Sequence, residues 1–191
     1  MQLEKMKEML KTMLNEKRYA HSVAVMETAV ELAERFGADV EKARIAGLLH
    51  DCAKNLSVQE MMEKCEEYSI ALDAVAKQQF GLIHAFVGAK MLSPVFGVAD
   101  EEIFDAVFYH TVGKPDMPIL TKIIYIADGI EPHRTFEGVE EIRTLAQQDL
   151  DRALVKQIDR TIRSVLTKGT LLHTNTVDTR NFYLHRLMEQ V

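Results

Sequence analysis

Apolar positions recur along this chain at intervals of three and four, the spacing of one helix face. Leu3, Met6, Met9, Leu10, Met13 and Leu14 form the first stripe and predict a core-facing helix. Arg18-Tyr19-Ala20-His21 leads into a second helix through about Phe36, with Gly37 as its stop. Asp39 caps a third, which runs through Ala43, Ala46 and Leu49 to His50-Asp51. Asn55-Leu56-Ser57 breaks that helix, and Ser57 with Glu60 has the spacing of a capping box that starts another. Gly81 interrupts the next apolar segment, so the following helix is expected to begin at His84. Asp100-Glu101-Glu102 is an acidic start for a helix ending near His110, and Gly113-Lys114-Pro115 is a loop. Helix resumes near Pro118, carries Ile123, Ile124 and Ile126 toward Asp128, and is expected to end at Gly129 and Pro132. The run Ile123–Ile126 has strand propensity, but its flanks and the rest of the chain favour helix. Helices over about 138–147 and 149–168 follow, then a stop at Gly169 and a last helix over about 177–189.

The pattern predicts an all-α fold, with no repeat, low-complexity tract or linker. The 191 residues fit one domain spanning 1–191, its terminal helices packed on the core. Four Pro, nine Gly, ten Met and no Trp agree with helices. A formal net charge of -6 disfavours a broad nucleic-acid or anionic-membrane surface, but leaves room for a small anion held locally by a metal and a few cations. No stretch approaches a membrane span, and the charged N-terminus lacks the apolar region of a secretory signal. Two cysteines, Cys52 and Cys65, make neither a disulfide framework nor a zinc finger. The cytoplasm is the expected compartment, with both thiols reduced. Cys52 follows His50-Asp51 and reads as a passive core residue.

Candidate chemistry gathers at the ends of the predicted helices. Of seven histidines, His21, His50, His84 and His110 lie at such turning points, joined by Asp51 and Asp128. The His-Asp dipeptide alone is a weak signal; the ordered series on successive helices is a stronger one. Imidazole and carboxylate suit a borderline or harder divalent metal such as iron or manganese. Two histidines and two aspartates would leave coordination positions open for water and a substrate oxygen, whereas structural sites are usually closed tetrahedra. Lys54 lies four residues after His50 and three after Asp51, on a shared helical face. A cation there beside a metal calls for an intervening anion, and phosphate is such an anion. The plain alternative for Lys54 is a solvated helix-end lysine.

The segments RYAHS (18–22), AGLLHDCAK (46–54), His84, YHT (109–111) and IADGIEPHR (126–134) resemble the HD-domain metal phosphohydrolases. With the short length and the ending LLHTNTVDTRNFYL (171–184), the chain looks like the bacterial YqeK-type branch. That branch contains symmetrical bis(5'-nucleosyl)-tetraphosphatases, which split diadenosine tetraphosphate into two ADP. The resemblance runs from about Arg18 to Asn181 and implies an HD-domain helical bundle. It makes His21, His50, Asp51 and Asp128 the ligands of one metal, iron in preference to manganese. Asp51 and Lys54 become the catalytic pair, acting on an inner phosphorus attacked by metal-bound hydroxide. His84 and His110 match histidines that hold a second metal in some relatives and face phosphate in others, so one or two ions are expected.

Arg18, His21, Lys54, His84, His110, Thr111 and Arg134 are then expected to contact substrate, with Arg134 suited to a forked phosphate contact. His133 reads as exposed or structural. Thr170, Asn175 and Thr176 fall in a polar tail that can meet a ribose or base edge, although Thr176 or Asp178 can equally cap the last helix. Arg180 and Asn181 brace this loop, and His173 and His185 read as surface or core. The expected partner is a dinucleoside polyphosphate or an ADP-like nucleotide, without nucleic acid or membrane; a homodimer is left open. The rival readings are an HD-type nucleotidase or guanosine alarmone hydrolase, and a non-catalytic nucleotide-sensing module.

Overall fold

The computed structural model describes residues 2–190, which hold ten α-helices and no strand. They are α1 (Leu3–Met13), α2 (Glu16–Phe36), α3 (Val40–Leu49), α4 (Val58–Glu67), α5 (Phe80–Phe96), α6 (Glu101–Tyr109), α7 (Ile119–Ile130), α8 (Val139–Ala146), α9 (Leu150–Thr167) and α10 (Thr174–Met188). Six of the starts carry side-chain caps. Asn15 accepts the Arg18 N–H, Asp39 that of Lys42, and Asp100 those of Glu102 and Ile103. Both bonds of the Ser57–Glu60 capping box are formed. Each cap accepts N–H groups that a helix start cannot satisfy internally.

Helix α7 is the axis of the bundle. Ile123, Ile124, Tyr125, Ile126 and Ala127 are all buried, and α2, α3, α6, α8 and α9 pack around them. That enclosure is why a β-branched run is a helix here: a segment apolar on every side is at home at the centre of a helical core. The core extends from Met6 on α1 to Tyr183 on α10.

Two close approaches hold the bundle together. Gly47 on α3 lies so near α2 that a Cβ would sit 2.7 Å from the Met26 Cα. Gly129 on α7 faces Gln157 of α9, whose amide would be 2.2 Å from an added Cβ and which donates to the Tyr125 carbonyl at 2.6 Å.

Three boundaries differ from the sequence expectation. Helix α5 begins at Phe80, ahead of His84; Gly81 falls in its first turn, where N–H groups have no intrahelical partner and glycine interrupts little. Helix α7 runs through Gly129 to Ile130, because the glycine serves packing against Gln157. Helix α10 starts at Thr174, not 177, because the His173 ring accepts the Asn175 N–H at 3.1 Å. Residues 174–176 are therefore a helical turn, and neither Thr176 nor Asp178 is its cap. No helix among the described residues is long and apolar enough to cross a membrane.

Candidate metal centre

Five helices deliver one cluster. His21 lies on α2, His50 and Asp51 at the end of α3, His84 in the second turn of α5, His110 at the end of α6, and Asp128 in the last turn of α7. Five of the six are nearly excluded from solvent: His21, His50, Asp51, His84 and His110 are buried.

The histidine rings share one orientation logic. His50 Nδ1 lies 2.8 Å from the Gly47 carbonyl, His84 Nδ1 2.7 Å from that of Gly81, and His110 Nδ1 2.7 Å from that of Val107. A carbonyl only accepts, so each Nδ1 carries the proton and donates it. For His50 and His110 the same bond satisfies a carbonyl at a helix end. His21 Nδ1 meets the buried Glu131 carboxylate at 3.2 Å. The Nε2 lone pair of each neutral ring is thereby left free, the arrangement that outer hydrogen bonds impose on metal-binding histidines.

Those Nε2 atoms converge on carboxylate oxygens. His21 Nε2 is 3.1 Å from Asp128 Oδ1 and 3.7 Å from Asp51 Oδ2. His50 Nε2 is 3.5 Å from Asp51 Oδ2 and 3.8 Å from Asp128 Oδ1. On the opposite side of the same aspartate, His84 and His110 Nε2 lie 2.9 and 3.7 Å from Asp51 Oδ1, and 3.1 Å from each other. Buried His21 Nε2 and His50 Nε2 have no hydrogen-bond partner among the described residues. Lone pairs facing lone pairs are mutually repulsive, and a cation between them reverses the sign. The donors of His21, His50 and Asp51, of His50, His110 and Asp128, and of Asp51, His84 and His110 each lie within 4.8 Å of one another. The residues present fit a divalent metal held by imidazole and carboxylate.

Cations rim the cluster. Arg18 donates to Asp51 Oδ2 at 2.8 Å, and Arg134 to Asp128 Oδ1 at 2.7 Å. Lys54 Nζ lies 3.2 Å from His84 Nδ1. Burial pushes the Lys54 ammonium down from its ordinary range, against the pull of Asp51. Burial also lowers His84, to about 4, so the ring is neutral at pH 7. In Asp51 burial works upward but is outweighed by His50, His110 and His84, which hold the carboxyl well below its usual range. Burial raises the Cys52 thiol to about 12, so it is not a thiolate nucleophile.

Thr111 has a buried hydroxyl without a hydrogen-bond partner among the described residues. The tail residues are placed differently. Thr170 is exposed at the end of α9. Asn175 donates to the Gly113 carbonyl at 3.4 Å and Thr176 to that of Val112 at 3.2 Å, fastening α10 to the segment after His110. Arg180 pairs with Asp159, tying α10 to α9. His173 caps α10 and meets Asp73 at 2.7 Å, while exposed His185 faces Glu189.

Two residues without an assigned role in the sequence reading support the centre. Glu131 accepts from His21 Nδ1 through one oxygen and from the His133 backbone N–H at 2.7 Å and Nδ1 at 2.9 Å through the other. Arg143 on α8 donates to the carbonyls of Ile130, Glu131 and Arg134 and so staples the turn that carries Glu131 and Arg134. The acid in IADGIEPHR was visible, but nothing in its spacing paired it with a histidine 110 residues away.

The family model for the HD domain matches residues 18–133. The chain is similar to the symmetrical bis(5'-nucleosyl)-tetraphosphatase of Bacillus subtilis (strain 168), 44% identical over 91% of this chain and 92% of the relative. It is 37% identical to a protein of the same description from Staphylococcus aureus, over 96% of this chain and 95% of that one. A crystal structure from Clostridium acetobutylicum, described as a predicted HD superfamily hydrolase involved in NAD metabolism, superposes with a TM-score of 0.94 at 44% identity, covering 97% of this chain and 98% of that one.

Proposed function

The chain belongs to the HD-domain family, and from that premise we propose that it hydrolyses diadenosine tetraphosphate symmetrically, giving two ADP. The observation that carries this reading is the convergence of four histidine Nε2 atoms on Asp51 and Asp128 inside a rim of cations. The names of the full-length relatives supply the substrate. They do not favour a nucleoside monophosphate or a guanosine alarmone as substrate, nor a module that only senses nucleotide.

In this reading His21, His50, Asp51 and Asp128 hold a divalent metal, iron in preference to manganese. When bound, the metal supplies Lewis acidity toward a phosphoryl oxygen and makes a water acidic enough to react near neutral pH. Asp51 accepts a hydrogen bond from the attacking water and sets its line of approach. The Thr111 hydroxyl donates to the phosphoryl group under attack and His84 and His110 line that group, while Lys54, Arg18 and Arg134 offset charge on it and on the leaving ADP. Glu131 keeps the His21 ring in the tautomer that leaves Nε2 bare. Thr170, Asn175 and Thr176 lie toward the nucleoside. No protein nucleophile is needed, and the single domain of residues 1–191 contains the whole site. We take the enzyme to be cytoplasmic, to bind neither nucleic acid nor membrane, and to be compatible with a homodimer.

Hydrolysis in oxygen-18 water tests the bond that breaks. One ADP per turnover is expected to carry label, at its terminal phosphoryl group. Release of AMP with ATP, or no hydrolysis by protein with a full metal complement, rejects the assignment.

A further inference from the structure

Beside His21 the surface opens into a cavity of about 320 Å³, lined by Lys17, Arg18, His21, Glu131, His133 and Arg134. Its size is at the lower end of small-molecule sites. Lys17, Arg18 and Arg134 are cations, His21 and His133 are histidines, and the one acid, Glu131, is buried and already accepts from both of these rings. Arg18 and Arg134 are each engaged with a cluster carboxylate. Lys17 is exposed and, among the described residues, has no ion-pair partner. The His133 ring gives Nδ1–H to Glu131 at 2.9 Å, which fixes the ring and leaves Nε2 as its free nitrogen, a donor to phosphate in the imidazolium form; its side chain is 69% exposed. Lys17 and His133 Nε2 are thus the uncommitted polar groups of a cationic cavity that adjoins the metal cluster.

Cleavage at the middle of a tetraphosphate places two phosphates on each side of the broken bond. Lys54, His84, His110 and Thr111 serve one side of the cluster; the cavity lies on the other, beyond His21. We infer that this cavity seats the departing nucleoside diphosphate, with Lys17 and His133 holding its phosphates and Arg18 and Arg134 at the threshold. This assignment rests on the tetraphosphatase reading and adds the place where the second half of the substrate is recognised. Lys17 and His133 are binding residues in it, and by anchoring two phosphates outward from the cut they help set its central position.

The test is steady-state hydrolysis of diadenosine tetraphosphate by the metal-loaded parent and the double variant Lys17→Ala/His133→Ala, with metal content and far-UV circular dichroism measured on both. The KM of the variant is expected to rise at least fivefold, with metal content and helicity as in the parent. Lys17→Glu alone, a surface change with no partner to lose, is expected to raise KM by more than that. A rise below fivefold in both variants overturns the inference. Failure of the metal-loaded parent to cleave the dinucleotide would instead strike the underlying reading, so the two failures are separable.

Discussion

The two sides of Asp51 are built from the same residue types and carry opposite electrostatics. On one side Oδ2 faces His21 and His50, with Asp128 completing the group and Glu131 behind His21. Burial pulls His50 down, but Asp51 and Asp128 outweigh it and leave the ring raised. On the other side Oδ1 faces His84 and His110, and Lys54 stands against His84. There burial dominates, and Lys54 and His110 add to it. A ring raised by neighbouring carboxylates marks a seat for a cation; on the other side it is the Lys54 ammonium that suits a phosphate oxygen. Identity of ligand type is therefore a poor guide to what a histidine binds, and the charge around it is a better one.

Removing the shared residue should erase the comparison altogether. Asp51→Ala is expected to lose its metal and at least about 10³-fold in turnover, the scale of removing a metal or principal electrostatic group, while its far-UV circular dichroism keeps most of the helicity. A folded Asp51→Ala protein with full metal and near-normal activity would show that the two sides do not meet there.

Single alanines separate the sides. His50→Ala is expected to lower metal content, whereas His84→Ala or His110→Ala should keep it and cut kcat/KM about 10²-fold, as lost charge-stabilising contacts do. Metal analysis showing that His84→Ala or His110→Ala has lost an ion would convert that side into a second metal seat.

Lys54→Ala is a milder probe of the same side. Losing one charge-assisted phosphate contact is worth about 1.5–3 kcal/mol, roughly 10–100-fold in kcat/KM, with metal content retained. Unchanged kinetics would return Lys54 to the class of solvated lysines.

Acid gives the smallest signal, and its sign differs between the sides. The folded value of His84, about 4, lies below its ordinary 6.5, so its contribution is complete above 6.5 and is lost as pH falls toward 4. His50, raised, contributes in the opposite sense: its share is complete below 6.5 and fades as pH rises through the folded value. In metal-stripped protein His84 should cost about 1–2 kcal/mol of stability on going from pH 7.5 to pH 5. Urea unfolding of parent and His84→Gln at the two pH values measures it; an equal acid loss in the variant would place the effect elsewhere.

What was legible in the chain depended on how local the cause was. Caps at Asn15, Asp39, Ser57 and Asp100 need only a few neighbouring residues, yet the Asn15 cap was not singled out while the others were. His50 and His110 were conspicuous because a polar residue closing an apolar helix invites a reason. Glu131 and Arg143 were invisible because their partners are set by how α2, α7 and α8 meet, and no spacing encodes that. The tail misled on boundaries: Thr174-Asn175-Thr176 has the composition of a loop, and only a histidine acting as N-cap makes it a helix start. Glycine's low helix propensity suggests an interruption at Gly81 and a stop at Gly129; the first sits where a helix has little to lose, and the second clears room for Gln157.

Gly47 links the architecture to the chemistry in a way that bears on how such a protein can vary. Its missing side chain lets α3 lie against the α2 backbone, and its carbonyl holds the His50 ring. The spacing between His21 on α2 and His50 at the end of α3 is thus a mechanical tolerance, set by a hydrogen atom where any other residue would put carbon. A lineage could exchange most of the apolar filling around this point and stay folded and functional. Widening this one gap would move the two rings apart, so room to vary is tight at a position that carries no side chain.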